Sequence, residues 1–383
     1  MKKIVIIQRR LTHYRVSFFE ELKRVLQLQG VELVLVYGQP DPLEKNKRDE
    51  GHIEWAIQVV NWYWQVGQKY LVFQPFSSEL KNVDLVVLTQ ENSFLSNYLH
   101  LLHRALLGNK VAFWGHGANL QSKNPNGLKE RFKRWTTTHV DWWFAYTQMS
   151  ADLVAAENFS LSRITVLNNA VDTTDLQQQR QSITSEETHA LQESLGFSGG
   201  KIGVFVGSLY PDKRLDFLFA AAETIHEEVP NFNLLIIGDG NEREKVKDWC
   251  KNRPWARWVG SRLDREKTAY VSMAHIMLNP GLVGLGILDS FVYEVPMLTT
   301  AWGLHSPEIS YFENEVNGIM TTDDLNSYAT ACINLLCDTE KLNILKLGCR
   351  TSAKEYTVEN MAHRFADGVI KCLDNSQVIR ANH

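Results

Sequence analysis

Three glycine-bearing turns in the second half of the chain hold the residue types best suited to chemistry. Gly207 follows the apolar run 202–206. Gly238 and Gly240 follow the run 234–237, and Gly281, Gly284 and Gly286 precede the helical pattern 288–293. Glycine at a strand-to-helix turn lets backbone N–H groups approach a phosphate, and the helix amino terminus adds a favourable dipole. One such turn says little, because tight turns need glycine anyway. Three at strand ends in one domain point to a phosphate-bearing ligand. A dinucleotide site would need Gly-x-Gly-x-x-Gly directly after a strand. Gly238-Asp239-Gly240 continues as Asn241-Glu242-Arg243, and Gly284-Leu285-Gly286 as Ile287-Leu288-Asp289, so the third glycine is missing from both. No Gly-Lys-Ser/Thr occurs, which removes the Walker-type phosphate loop. In the first half, Trp114-Gly115-His116-Gly117-Ala118-Asn119 sets a histidine in a glycine turn. That histidine either shapes the turn or faces a ligand.

These turns need a scaffold of alternating strands and helices. Periodicity predicts strands at 3–8, 31–37, 84–89, 111–114, 142–146 and 164–167, with helices at 16–28, 97–107 and 128–138. The segment 173–200 is rich in Gln, Ser, Thr and Glu and ends in Gly199-Gly200. It reads as a domain connection with a short helix near 187–195. Alternation then restarts: strands at 202–206, 234–237, 256–259, 276–278 and 297–300, helices at 215–226, 242–252, 264–274 and 288–293, and two closing helices near 325–336 and 358–373. Such alternation implies an α/β architecture with parallel sheets. Ligands then sit at the carboxyl ends of the strands.

The 383 residues and 44% apolar content suit two domains with proper cores. The amino-terminal run Ile4-Val5-Ile6-Ile7 is closed off by Arg9 and Arg10, so it reads as a buried strand rather than a signal peptide. No run of about 18 uncharged apolar residues occurs, so nothing reads as a membrane span. The five cysteines form no Cys-x-x-Cys pair, which favours reduced thiols over a disulfide framework or zinc site. The expected location is cytoplasmic. Residues 1–170 carry 20 Lys and Arg against 15 Asp and Glu, a net +5, whereas the remainder carries −9. The basic half suits an anionic partner such as acidic lipid or a phosphate-bearing acceptor, although scatter of surface charge gives the same sum. The helix 128–138, with Lys129, Arg131, Phe132, Lys133, Arg134 and Trp135, has the make-up of an interfacial helix and also of an ordinary amphipathic one. Nothing in the chain points to nucleic acid.

Four segments resemble the family 4 retaining glycosyltransferases of the GT-B fold. They are Gly207-Ser208-Leu209-Tyr210-Pro211-Asp212-Lys213-Arg214-Leu215-Asp216; Ile236-Ile237-Gly238-Asp239-Gly240-Asn241-Glu242-Arg243; Val259-Gly260-Ser261-Arg262 with Tyr270, Ala274 and Asn279-Pro280; and Gly281 through Phe291 with Pro296. The last resembles the family's glutamate-x7-glutamate signature. The resemblance implies two Rossmann-like doubly wound domains facing a cleft. These are an acceptor-side domain at 1–172, joined by a returning helix within 352–375, and a nucleotide-sugar domain at 201–351, with 173–200 as linker. It also implies retention of anomeric configuration, and no metal or cofactor beyond the nucleotide-diphosphate sugar.

The resemblance carries roles onto single residues. Lys213 would neutralise the donor diphosphate, helped by Arg214 or Arg262. N–H groups of Val283, Gly284 and Leu285 would cradle the terminal phosphate, beside Gly207, Gly238 and Gly240. Asp289 stands at the second glutamate, which holds the ribose, and His116 at a histidine that contacts the donor sugar. Glu308 matches a position near the nucleotide or caps the next helix. Two departures stand out: Gly281 replaces the first glutamate, and Ser208 replaces a frequent arginine. The paired glycines expected near Thr12-His13-Tyr14-Arg15 are also absent. Tyr14, Arg15, Gln90, Glu91, Asn92 and Asn119 are candidate acceptor contacts, with Arg15 equally readable as a helix-entry arginine. The resulting expectation is transfer of a sugar to a glycan or lipid-linked acceptor at the inner membrane face, for cell-surface polysaccharide synthesis. A nucleotide-sugar epimerase of the same fold and an inactive sugar-nucleotide-binding protein are the rivals.

Overall fold

A computed structural model of the chain describes residues 1–47, 49–67, 69–75, 82–117, 136–197 and 199–375. It divides into two compact units, Met1–Asp172 with Thr357–His383, and Thr173–Tyr356. In the first unit the strands are β1 (Lys2–Gln8), β2 (Val31–Gly38), β3 (Ile57–Val59), β4 (Trp62–Val66), β5 (Lys69–Phe73), β6 (Leu85–Thr89), β7 (Lys110–Gly115), β8 (Trp142–Ala145) and β9 (Ile164–Val166). Seven of them form one parallel sheet in the order β3-β2-β1-β6-β7-β8-β9, and β4-β5 is a separate antiparallel hairpin. Ile4 lies between Leu33 and Leu85 in register, and Ile4, Val5 and Ile6 are fully buried. A strand covered on both faces needs a continuous apolar run, which is what the sequence supplies.

The helix Val16–Leu28 buries Phe18, Phe19, Leu22, Val25 and Leu26. Its partner is Val358–Asp374, which follows the second unit in the chain but packs in the first. Thr357 caps that helix through the Asn360 N–H at 3.1 Å. Residues 352–355, expected in the returning helix, instead end the preceding helix Thr339–Glu355. Phe365 stacks flat on Phe144 at 4.1 Å and meets Trp114 and Phe18 at 5.3 and 5.8 Å. The helix lies so near the sheet that a Cβ on Gly368 would overlap Thr165 and come within 2.7 Å of Phe144.

The second unit holds β10 (Lys201–Val206), β11 (Phe232–Ile237), β12 (Ala256–Trp258), β13 (Ile276–Leu278), β14 (Met297–Thr300) and β15 (Gly318–Thr321). They form a parallel sheet in the order β12-β11-β10-β13-β14-β15. In both sheets the order reverses beside the first strand, the doubly wound arrangement. Phe205, Leu218, Leu234, Ile236, Leu298 and Tyr328 lie in its core.

The stretch 173–200, read from composition as a connection, is two helices of the second unit, Thr174–Ser182 and Ser185–Ser194. Its polar residues are clamps. Gln179 accepts from Thr268 Oγ1 at 3.0 Å, and Arg265 donates to Ser182 and Glu187, each at 2.6 Å. Arg180 and Arg350 both bind Glu294, at 2.6 and 2.7 Å. Partial burial opposes the charge of Glu294, but the bonds from Arg350 and Arg180 outweigh it and hold the carboxyl down at about 2. The hairpin β4–β5, the helix Gln148–Ala156, β15 and the helix Thr339–Glu355 are also absent from the sequence expectation.

Phe365→Ala removes the ring that joins the returning helix to the sheet. A loss of about 3–5 kcal/mol is expected for a fully buried phenylalanine, read as a lower urea midpoint at unchanged slope.

Candidate functional site

The turn after β10 runs through Gly207 into the short 3-10 turn Pro211–Lys213 and then the helix Leu215–Glu228. Arg214, between them, adopts a left-handed conformation at φ 54°. The turn after β13 runs through Gly281 into the helix Gly286–Tyr293. The two turns are sewn together. Leu282 donates its N–H to Asp212 O at 2.8 Å, and Lys213 Nζ donates to Leu282 O at 2.5 Å. A Cβ on Gly281 would overlap the Asp212 carbonyl and lie 2.6–2.7 Å from the backbone of Lys213. No glutamate fits there, so the absent first acidic residue is a consequence of how closely the turns pack.

Around this seam lies a cavity of about 550 Å³. Gly207, Ser208, Tyr210 and Lys213 line one wall, Gly238, Asp239, Arg262 and Lys267 another, and Gly284, Leu285, Asp289 and Ser306 a third. Of the expected donor-side residues, Gly207, Ser208, Lys213, Gly238, Arg262, Gly284, Leu285 and Asp289 therefore come together. Lys213 is 9% exposed and has no carboxylate partner at salt-bridge distance among the described residues. Burial lowers its pKa to about 8, against the weaker pull of Asp212. Leu285 provides no side-chain cap for the helix Gly286–Tyr293, whose first-turn Ile287 and Leu288 N–H groups donate to the backbone oxygens of Gly284 and Leu285 at 3.1 and 3.0 Å.

Four expected donor contacts are placed otherwise. Arg214 turns away from the cavity: its guanidinium bonds Pro280 O at 3.3 Å and Thr300 Oγ1 at 3.2 Å, pairs with Asp323, and stacks over Phe217. The Val283 N–H is already taken by His305 Nδ1 at 3.1 Å, so it is not available to a phosphate. Gly240 lies outside the cavity lining, and its Cβ would strike Leu209, so that glycine serves the packing of adjacent turns. Glu308 is 4% exposed and likewise outside the lining.

Lys267, His305 and Ser306 were not singled out from the sequence. Lys267 Nζ bonds both carboxylate oxygens of Asp289 at 2.8 Å, with both side chains largely buried. His305 donates from Nε2 to Thr300 O at 2.8 Å while Nδ1 accepts from Val283; burial lowers its pKa, favouring this neutral ring. Nothing in the local sequence marks either residue, because their partners lie 22 positions away and across a turn.

In the first unit, His116 is exposed at the end of β7, with its ring 4.5 Å from that of Tyr146. Tyr14 is 38% exposed. Arg15 is buried instead. It bonds Asn169 Oδ1 at 2.6 Å and Ala170 O at 3.3 Å, among the rings of Tyr14, Trp114 and Tyr146. Its guanidinium is engaged as a structural bolt. Glu91 pairs with Arg9 at 2.9 Å, and burial pushes its carboxyl up despite that cation. Arg9 also holds Glu44 and Asp41, so Glu91 belongs to an ion network at the β1 terminus. Gln90 donates to Gly117 O at 2.9 Å, and Asn92 O accepts from Tyr98. Asn119 and residues 128–135 of the basic helix lie outside the described residues.

A family model described as Glycosyl transferases group 1 matches residues 200–338, and one described as Glycosyltransferase Family 4 matches residues 16–175. Together they span most of the chain. No curated protein sequence matches. Among solved structures, Anabaena Alr3699/HepE in complex with UDP is similar at 13% identity, covering 97% of this chain and 100% of that one, with TM-score 0.68. The lipopolysaccharide outer core galactosyltransferase WaaB, in its apo form, is 13% identical over 96% and 99%, with TM-score 0.65. Sucrose-phosphate synthase from Thermosynechococcus elongatus is 15% identical over 97% and 99%, also with TM-score 0.65.

Lys213 loses its proton near pH 8, so an anion it binds should weaken as pH rises through that value. Titration calorimetry with a diphosphate anion from pH 7 to 9.5 should show Kd rising by up to about tenfold per unit above the midpoint, and Lys213→Ala should flatten the profile. Gly281→Glu, which restores the family residue on paper, should lower the melting temperature and fail to raise donor binding, because its Cβ has no room.

Proposed function

The chain belongs to the family 4 glycosyltransferases of the GT-B fold, and from that premise we propose that it is a retaining enzyme whose nucleotide-diphosphate sugar binds the second unit. The sugar goes to a glycan or lipid-linked acceptor in cell-surface polysaccharide synthesis. The observation that carries this reading is the cavity at the strand ends, where buried Lys213 faces the same space as Gly284, Leu285 and Asp289. About 550 Å³ is the scale of a small-molecule site and suits a nucleoside diphosphate. The UDP held by the Anabaena structure makes uridine the first base to test.

The chemistry follows from charge. As the bond between the anomeric carbon and the diphosphate oxygen breaks, its electron pair moves onto the leaving group. Lys213 is fixed, largely desolvated and without a close carboxylate among the described residues, so its attraction grows as that charge appears. The incoming acceptor hydroxyl loses its proton as the new glycosidic bond forms. In the retaining reading the diphosphate oxygen exposed by cleavage takes that proton on the face the acceptor enters. Asp289, oriented by Lys267, keeps lone pairs for ribose hydroxyls. With fixed cations answering the diphosphate, we assign metal-independent transfer.

Acceptor recognition is assigned to the first unit, where His116 is exposed just past β7 and Tyr14 in the turn that leads into the helix Val16–Leu28. No described helix is long and apolar enough to cross a membrane. A lipid-linked acceptor would therefore be met at a membrane surface, with the basic segment 128–138 as one contact and the cytoplasmic face as the location.

A panel of UDP, GDP, ADP and dTDP and their sugars, scored by thermal shift and slow donor hydrolysis without added metal, tests the reading. One nucleoside diphosphate should stabilise selectively, by about 2.7 kcal/mol at a hundredfold excess over Kd. Lys213→Ala and Asp289→Ala should abolish both the shift and the hydrolysis. No stabilisation by any nucleotide overturns the donor site, and an epimerised donor formed without acceptor overturns transfer.

A further inference from the structure

We propose that the outer face of the β4–β5 hairpin is a membrane-docking element that seats at the headgroup–acyl boundary of an anionic bilayer. The proposal rests on the reading of a membrane-borne acceptor, but it concerns a surface outside the donor cavity. Side chains alternate along a strand, so Trp62, Trp64 and Val66 share one face of β4. Opposite them across the hairpin stand Phe73, Leu71 and Lys69. Trp62, Trp64 and Val66 are 54, 48 and 59% exposed. The other face is anchored. Tyr63 bonds Gln39 O, and Val72, 1% exposed, pairs through its backbone with Ser93 and Leu95. The apolar face is thus held outward on a pinned support.

Three observations choose the occupant. The indole N–H groups of Trp62 and Trp64 have no acceptor among the described residues, and unlike the buried Trp114, whose N–H is also unpartnered, these two rings stand in solvent. An amphipathic indole with a free N–H suits the depth where a bilayer turns from headgroup to chain. The named residues of this face offer only donors, two indole N–H groups and the Lys69 ammonium, and no carboxylate or amide to accept from the hydroxyls of a glycan stacked on the rings. From Trp55 to Ser78 there is no Asp or Glu and one Lys, Lys69, within a half-chain of net charge +5, so nothing local repels acidic headgroups.

The test is co-sedimentation of the full chain with vesicles of phosphatidylcholine alone and of phosphatidylcholine with phosphatidylglycerol. Wild type should pellet with the anionic vesicles. Trp62→Ser/Trp64→Ser should bind them about tenfold more weakly or less, as two interfacial side chains are lost. Leu161→Ser, at another exposed apolar residue, should bind as wild type. The double variant should keep its melting temperature and its shift with UDP. Equal pelleting of wild type and double variant overturns the proposal, as does a wild type that ignores vesicles. A concentration-dependent dimer abolished by the double substitution also overturns it, since a second copy would then cover the face. A wild type that binds vesicles but shows no UDP shift means the donor reading has failed and the docking element stands.

Discussion

The backbones of Asp212–Lys213 and of Gly281–Leu282 approach within hydrogen-bonding distance, and most of the donor-side geometry follows from that contact. Leu282 gives its N–H to Asp212 across the seam and takes the Lys213 ammonium from the same turn on its carbonyl. The lysine is therefore fixed before any ligand arrives. A side chain at 281 is excluded by the same approach, so the family's first glutamate is incompatible with this arrangement. Preorganised charge of this kind costs nothing to reorient at the moment of reaction.

The cations around the cavity differ in how far they are already satisfied. Lys267 is bound to Asp289, Arg262 to Glu266 at 2.9 Å, and Arg214 to Asp323 outside the lining. Lys213 meets a carbonyl oxygen and the more distant charge of Asp212. A desolvated ammonium with so little compensation is poorly stabilised as a charge, which is why its proton is held less tightly. An arriving diphosphate would supply the missing counter-charge. Pairing elsewhere and vacancy here together define where an anion gains most.

In the first unit the aromatic cluster takes the place of such charge logic. Phe144, Phe365, Trp114 and Phe18 lock the closing helix onto the sheet. Arg15 is stacked among neighbouring rings rather than offered to a ligand. The ends of β1 and β6 are tied by Arg9, Glu44 and Glu91. Residues that looked like acceptor contacts by position are here engaged in holding strand ends, while Tyr14 and His116 remain outward.

Apolar runs such as Ile4–Ile7 and Leu234–Ile237, alternating with helical patterns, marked most strands of both parallel sheets, and only the edge strands β3 and β15 were not among them. The glycine turns and the Pro211-Asp212-Lys213 segment likewise located the donor side, since close backbone approach is a local demand on residue type. Local pattern could not separate a polar helix from a linker at 173–200, where the decisive partners, Thr268, Arg265 and Glu294, are 78 to 114 residues away. It could not tell Arg15 the bolt from Arg15 the ligand contact, nor find Lys267 and His305. Each of these depends on which distant groups share a small volume, and only the packed tertiary structure brings them there.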